Sequence, residues 1–281
     1  MSITLETETG QDLPFKTLGF PGGERHVDLG VWDTQPKHVV IRARIDSSDD
    51  LMTLFLLSDA LQRIHMPMFL ELPYMPYARQ DRVCSPGQAH SLDVVGNFIN
   101  TFVYQKVAIW DPHSWLTLAK VYKSFEVPPS AIIEKSPQLS HFMRNQDTIL
   151  VAPDKGAVQR VREVSTYFGQ PNVLECSKNR DPATGALTGL HIPDMDLDGK
   201  TLVIVDDICD GGWTFTNLAT RLREQNPWMI ILYTTHGIFS KGLAALDGFV
   251  DYVYASDSKP IPIDSDKFPG YLTTIPYKHQ F

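Results

Sequence analysis

The residues best equipped for chemistry fall in one run, LVIVDDICDGGWTF (202–215). It joins an apolar segment, two adjacent acids, a third acid, two glycines and the start of a helical pattern. Val203, Ile204 and Val205 suit a buried parallel strand. Gly211 and Gly212 permit backbone conformations closed to other residues. Their N–H groups, with those of the helix that follows, can form an anion cradle, and Thr214 adds a hydroxyl. Asp206 and Asp207 can accept hydrogen bonds from ribose hydroxyls, directly or through a magnesium ion, and Asp210 is the third acid. An acidic pair beside an anion cradle suits a ligand with a phosphate at one end and a sugar diol at the other. The blander alternative, a capped loop, needs one acid and one glycine rather than this ordered set.

Such residues must be held by strands and helices, and the pattern supplies both. KHVVIRARI (37–45), MFLELPY (68–74), KVAIWD (106–111), TILVAPD (148–154), KTLVIVDD (200–207) and WMIILYTTH (228–236) read as strands. DDLMTLFLLSDALQRI (49–64), capped by Asp49 or Asp50, SLDVVGNFINTF (91–102) and FTNLATRLREQ (215–225) read as helices. Strands alternating with helices predict an α/β architecture with mainly parallel sheets flanked by helices. Acids recur where apolar strands end, the place where open α/β sheets bind ligands. SPQLSHFMRNQD separates two sets of elements, which places a boundary between domains 1–145 and 146–281. The Pro- and Asp-rich tail after residue 258 predicts no long regular element.

Composition narrows the function classes. A chain of 281 residues, 43% hydrophobic, buries a sizeable core without staples. A net charge of −8 disfavours nucleic-acid binding. No apolar run approaches a membrane span of about 20 residues, and the acidic start MSITLETETGQDLPF lacks a secretory signal's pattern. Three scattered cysteines, Cys84, Cys176 and Cys209, fit a reducing cytoplasm better than a disulfide framework.

The 202–215 run resembles the phosphoribosyl-binding motif of type I phosphoribosyltransferase folds, and the likeness extends along the chain. FPGGE (20–24), LPYMPYARQDR (72–82), WDPHS (110–114), VAPDKGAVQR (151–160), KNR (178–180) and THGIFSKG (235–242) resemble, in order, successive elements of the ribose-phosphate pyrophosphokinases. The resemblance implies two tandem type I phosphoribosyltransferase-like domains, the first carrying ATP elements and oligomer contacts, the second the ribose-phosphate loop and catalytic flag. It implies transfer of diphosphate from ATP to the anomeric hydroxyl of ribose 5-phosphate, giving PRPP and AMP for nucleotide or NAD biosynthesis, with Mg2+ as cofactor and ATP as co-substrate. Such chemistry is largely positioning and charge neutralisation.

By the same resemblance, Arg79 and Gln80 bind ATP, the guanidinium stacking on adenine and the amide bonding its edge. Phe20 and Glu24 complete the adenine pocket of a neighbouring subunit, so a homo-oligomer, dimer or hexamer, is expected. His113 and Asp154 match metal-linked positions. Lys178 and Arg180 match the catalytic flag, and SKNRDPATGAL reads as a mobile loop that closes over the phosphates.

The acceptor loop departs from the family's D-D-x-x-D-T-x-G-T. Gly211 stands where a Thr is usual and Trp213 where a Gly is usual. One hydroxyl donor is lost and a large ring is gained, so ADP-ribose, giving ADP-ribose 1-diphosphate for NAD salvage, is the alternative acceptor. VCSPGQAHSLD, with His90 as its one potential cation, replaces a usually basic run after Arg82. A non-catalytic regulatory subunit would lack flag cations or metal positions, and all four are here. DGKT (198–201) is no P-loop, because Asp194 occupies the first glycine position and Lys200 leads into a strand.

Overall fold

Apolar runs alternating with amphipathic segments build two α/β units, one of residues 1–127 with 278–281 and one of residues 128–277. The computed structural model describes residues 3–180, 187–260, 262, 264–279 and 281.

The first unit contains β1 (Ile3–Thr7), β2 (Lys16–Gly19), β3 (Arg25–Asp28), β4 (Val39–Ala43), α1 (Ser48–Arg63), β5 (Met68–Leu72), α2 (Ser91–Ile99), β6 (Tyr104–Trp110), α3 (Trp115–Lys120) and β7 (Ser124–Val127). Its five-stranded sheet has the order β1-β4-β5-β6-β7. β1 is antiparallel to β4 and the remaining pairs are parallel. β4 is buried along its whole length, as an interior parallel strand covered on both faces must be. Arg42 within it is matched by Glu6 and Glu71, each 2.7 Å away. The cap of α1 is Ser47, not Asp49 or Asp50: its hydroxyl oxygen accepts the Asp50 N–H at 3.1 Å and its O–H donates to the Asp50 carboxylate at 2.7 Å. Leu54, Leu57 and Leu61 then face the core.

β2 and β3 pair as an antiparallel hairpin. β2 is exposed throughout, and an Arg25–Asp49 ion pair links the hairpin to α1. The C-terminal residues return to this unit. Lys278 pairs with Glu6, the His279 N–H donates to Glu71 Oε1 at 2.9 Å, and the Phe281 ring lies 4.9 Å from that of Phe69.

The second unit contains α4 (Pro129–Ile133), α5 (Pro137–Arg144), β8 (Thr148–Ala152), α6 (Val158–Phe168), β9 (Val173–Glu175), β10 (Ser177–Arg180), β11 (Leu187–His191), β12 (Thr201–Cys209), α7 (Trp213–Arg223), β13 (Met229–Gly237), β14 (Tyr252–Ser256) and β15 (Leu272–Ile275). Its six-stranded sheet has the order β15-β14-β13-β12-β8-β9, with every neighbouring pair parallel. After residue 258 the described elements are short, a 3-10 turn at Ser265–Lys267 and the four-residue β15.

The segment expected to separate the domains is instead the helix α5. Ser136 caps it, accepting the Leu139 N–H at 3.3 Å, and its Leu139 and Met143 are buried. Because α5 packs on β8 and α6, the division falls between Val127 and Pro128 rather than at 145/146. No helix of the described residues is long and apolar enough to cross a membrane.

The strand order of the second sheet fixes where a ligand can enter. β8 leads through α6 to β9 at one edge, while β12 leads through α7 to β13 on the opposite side. The winding direction therefore reverses between β8 and β12, and a crevice opens outside their carboxyl ends.

Candidate active site

The reversal point collects the acids. β12 pairs with β8 only as far as Ile204–Val151, but with β13 as far as Cys209–Gly237. Its last residues thus extend beyond β8 and carry Asp206 and Asp207 to the crevice. Arg160, on the first turn of α6, places Nη1 3.6 Å from a carboxylate oxygen of each. All three side chains are largely buried, 8–16% exposed. Burial, then the charge of Asp207, pushes the Asp206 carboxyl well above the usual range, and Arg160 offsets part of this. The Asp206 carboxylate accepts the Asp207 N–H at 2.9 Å, and the Thr234 hydroxyl donates to the Asp207 carbonyl at 3.0 Å. Asp154, just past β8, accepts the Gly156 N–H at 3.0 Å, and its charge also bears on Asp206.

The glycine loop comes next. Gly212 is the N-cap of α7 with φ +80°, and a Cβ there would lie 2.9 Å from Leu246 Cδ2. Only glycine fits that turn. Gly211 is different: it is outside the left-handed region, and an added Cβ would make ordinary contacts, 3.6 Å from Lys241 Cγ. The loop is tied to the end of β13. Cys209 C=O accepts N–H groups of Ile238 and Phe239 at 2.9 and 3.0 Å, and Ser240 Oγ donates to Asp210 at 2.6 Å. Trp213 opens α7 with its side chain 60% exposed, and half-buried Thr214 follows it. An acidic pair with its guanidinium and a helix N-terminus on a fixed loop can accept a diol at one end and an anion at the other.

In the first unit, Arg79 and Gln80 lie exposed on a turn after β5, while Met75, Ala78 and Asp81 point inward. The Gln80 C=O accepts the Leu92 N–H at 3.3 Å, which ties the turn to α2. Exposed His113 follows β6. The two segments meet at Asp81. Burial pushes its carboxyl up, but the hydrogen bond from Arg82, the nearby Ser114 hydroxyl and the His113 ring bring it below the usual range. Phe20 and Glu24 form the tip of the β2–β3 hairpin, exposed and closed by Phe20 N–H to Glu24 C=O at 2.9 Å.

His113 belongs to the first unit and Asp154 to the second. Among the described residues, no three His, Cys, Asp or Glu side chains form a ready-made metal cluster. Lys178 and Arg180 lie on β10, which pairs antiparallel with β11. The flag is therefore a hairpin at its base rather than a loop throughout; its expected tip, 181–186, lies outside the described residues. Arg160 and Asp81 were not singled out from sequence. Both stand inside the quoted VAPDKGAVQR and YARQDR segments, and that membership was the available signal.

Residues 130–261 match the family model for the phosphoribosyl transferase domain. The chain is 31% identical over 252 residues to the ribose-phosphate pyrophosphokinase of Thermococcus kodakarensis, across 87% of this chain and 85% of that one. It is 28% identical to that of Pyrococcus furiosus, across 92% of each. A crystal structure of phosphoribosylpyrophosphate synthetase from Mycobacterium smegmatis shares the fold, with a TM-score of 0.76 at 22% identity, covering 94% of this chain and 86% of that one. The likeness in sequence, at near full length, shows that the chain belongs to the ribose-phosphate pyrophosphokinase family of diphosphotransferases.

Proposed function

We propose that the protein transfers the β,γ-diphosphate of ATP to the C1 hydroxyl of ribose 5-phosphate, giving PRPP and AMP. The observation that carries this reading is the meeting of Asp206, Asp207, Arg160 and the α7 N-terminus at the reversal point of the second sheet. The C1 hydroxyl oxygen bonds to the β-phosphorus, the bond from that phosphorus to the α–β bridging oxygen breaks, that oxygen leaves on AMP with the electron pair, and the hydroxyl proton goes to solvent or base. Asp206 and Asp207 hold the ribose diol, and the loop 210–214 holds the C5 phosphate. Arg79 and Gln80 seat the adenine. Lys178 and Arg180 neutralise charge on the transferring group. Phe20 and Glu24, on an exposed hairpin tip, serve a neighbouring subunit, which makes the working form a homo-oligomer in a cytoplasmic setting.

The donor set suits magnesium, since two adjacent carboxylates with one shared guanidinium offer hard oxygen ligands short of positive charge. Asp206 and Asp207 would hold it, with Asp154 and His113 acting through water or substrate. When bound, the ion neutralises the polyphosphate.

A second reading takes ADP-ribose as acceptor, serving NAD salvage. It is favoured by the exposed Trp213 ring and by Gly211, where the loop lacks a side chain that would make only ordinary contacts. Chromatographic AMP release with ATP, magnesium and either acceptor tests both. AMP with ribose 5-phosphate supports the first, AMP with ADP-ribose alone supports the second, and none from folded protein overturns both.

A further inference from the structure

We propose that Lys241 is a specificity-determining residue of the acceptor pocket, its ammonium taking the phosphate on C5 of the acceptor ribose; this rests on the reaction proposed above. The first observation is the space at Gly211. Nothing in the backbone there demands glycine, and an added Cβ would make only ordinary contacts, 3.6 Å from Lys241 Cγ and 4.0 Å from Ser240 Oγ. The loop therefore omits a side chain it has room for, and the stem of Lys241 flanks the gap.

The second observation is how Lys241 is held. Ser240, its chain neighbour, is fixed to the acceptor loop twice, by Oγ to Asp210 Oδ1 at 2.6 Å and by N–H to Asp210 C=O at 3.1 Å. Residue 241 consequently keeps its station beside Gly211 while its long side chain stays exposed.

The third observation is the charge around it. The two acids that bracket this loop are engaged elsewhere. Asp210 takes the Ser240 hydroxyl, and Asp264 takes the Leu243 and Ala244 N–H groups at 3.0 and 3.1 Å. No carboxylate among the described residues pairs with Lys241. An uncompensated cation thus stands next to a loop whose amides and helix N-terminus already favour an anion. A lysine suits that role, because a point charge on a flexible stem needs no fixed geometry and accepts a phosphate or one arm of a diphosphate.

The test is steady-state kinetics of AMP release with acceptor varied at saturating ATP and ATP varied at saturating acceptor, for the wild type, Lys241→Ala and Lys241→Arg. Lys241→Ala should raise the acceptor KM about tenfold, the loss expected for one charge-assisted hydrogen bond, with kcat and the KM for ATP held. Lys241→Arg should restore most of the affinity. An unchanged acceptor KM, or an equal rise in the KM for ATP, would overturn the assignment. Calorimetric binding of ribose 5-phosphate without ATP separates the two levels. If wild type releases no AMP yet binds ribose 5-phosphate, and Lys241→Ala binds it about tenfold more weakly, the reaction fails while the subsite stands. No difference in binding between the two proteins, including none by either, removes the subsite.

Discussion

Replacing Arg160 by Ala removes the sole cation placed between Asp206 and Asp207 among the described ion pairs. Its Nη1 is 3.6 Å from an oxygen of each carboxylate, and the three side chains are 8–16% exposed. At an effective dielectric near 20, one such pair at that distance is worth roughly 4–5 kcal/mol before desolvation. Breaking a buried pair by deleting one partner costs about 3–5 kcal/mol, because a charge is left without compensation. The expected result for Arg160→Ala is a loss of about 3 kcal/mol in urea unfolding of the second unit. Asp207→Asn in the same background should recover about half of that, since it deletes one of the two repelling charges. Magnesium should raise the melting temperature of Arg160→Ala more than that of the wild type. A single variant within about 0.5 kcal/mol of wild type, or no recovery in the double variant, would refute the electrostatic reading of this pair.

Further outcomes follow from the same geometry. Gly212→Ala forces a Cβ to 2.9 Å from Leu246 Cδ2 at φ +80° and should cost about 2 kcal/mol in denaturant unfolding, whereas Gly211→Ala should stay within about 1 kcal/mol of wild type. Lys178→Ala should lower kcat about a hundredfold with little change in acceptor KM, measured by AMP release. Burial, then the charges of Lys106 and Arg42, holds the His279 ring below its ordinary value, so the unfolded chain takes up this proton first on acidification. Docking of residues 278–281 is therefore at full strength above the ordinary histidine range and weakens as pH falls from there toward the lowered value. Amide exchange of the C-terminal residues at successive pH values should show this, and His279→Phe should flatten the dependence.

The legible parts of the fold were those where local sequence and tertiary role coincide. β12 could be read because a continuous apolar run is what a strand buried on both faces requires, and it ends in acids where parallel sheets present ligands. α1 and α7 carried a helical period, and their observed ends differ from the expected ones by one or two residues. α5 was hidden because SPQLSHFMRNQD is mostly polar. Its few apolar residues find a partner only once β8 and α6 are in place. The return of residues 278–281 to the first unit depends on Glu6 and Glu71, which are remote in sequence.

The site shows the same division. Asp206, Asp207 and the glycines are contiguous, so their chemistry could be read from one run. Arg160 joins them only because α6 lies beside β12, a contact between segments over 40 residues apart that no local pattern records. The depressed Asp81 carboxyl owes most to its neighbour Arg82, and only the further contribution of Ser114 and His113 comes from a segment remote in sequence. At the flag, an extended segment at 178–180 within a mobile loop could be read from sequence, whereas the pairing of β10 with β11 could not, because short polar strands carry little apolar alternation.

The most direct measurement follows ATP whose β-phosphoryl group is marked with heavy oxygen, read by the isotope shift in phosphorus NMR of the products formed with magnesium, ribose 5-phosphate and the wild-type protein. Diphosphoryl transfer predicts equal amounts of AMP and a C1 diphosphate with the mark on the phosphorus bonded to the C1 oxygen. Formation of ADP that keeps the marked β-phosphoryl group, alongside a ribose carrying a single phosphate on C1 in addition to that on C5, would contradict it.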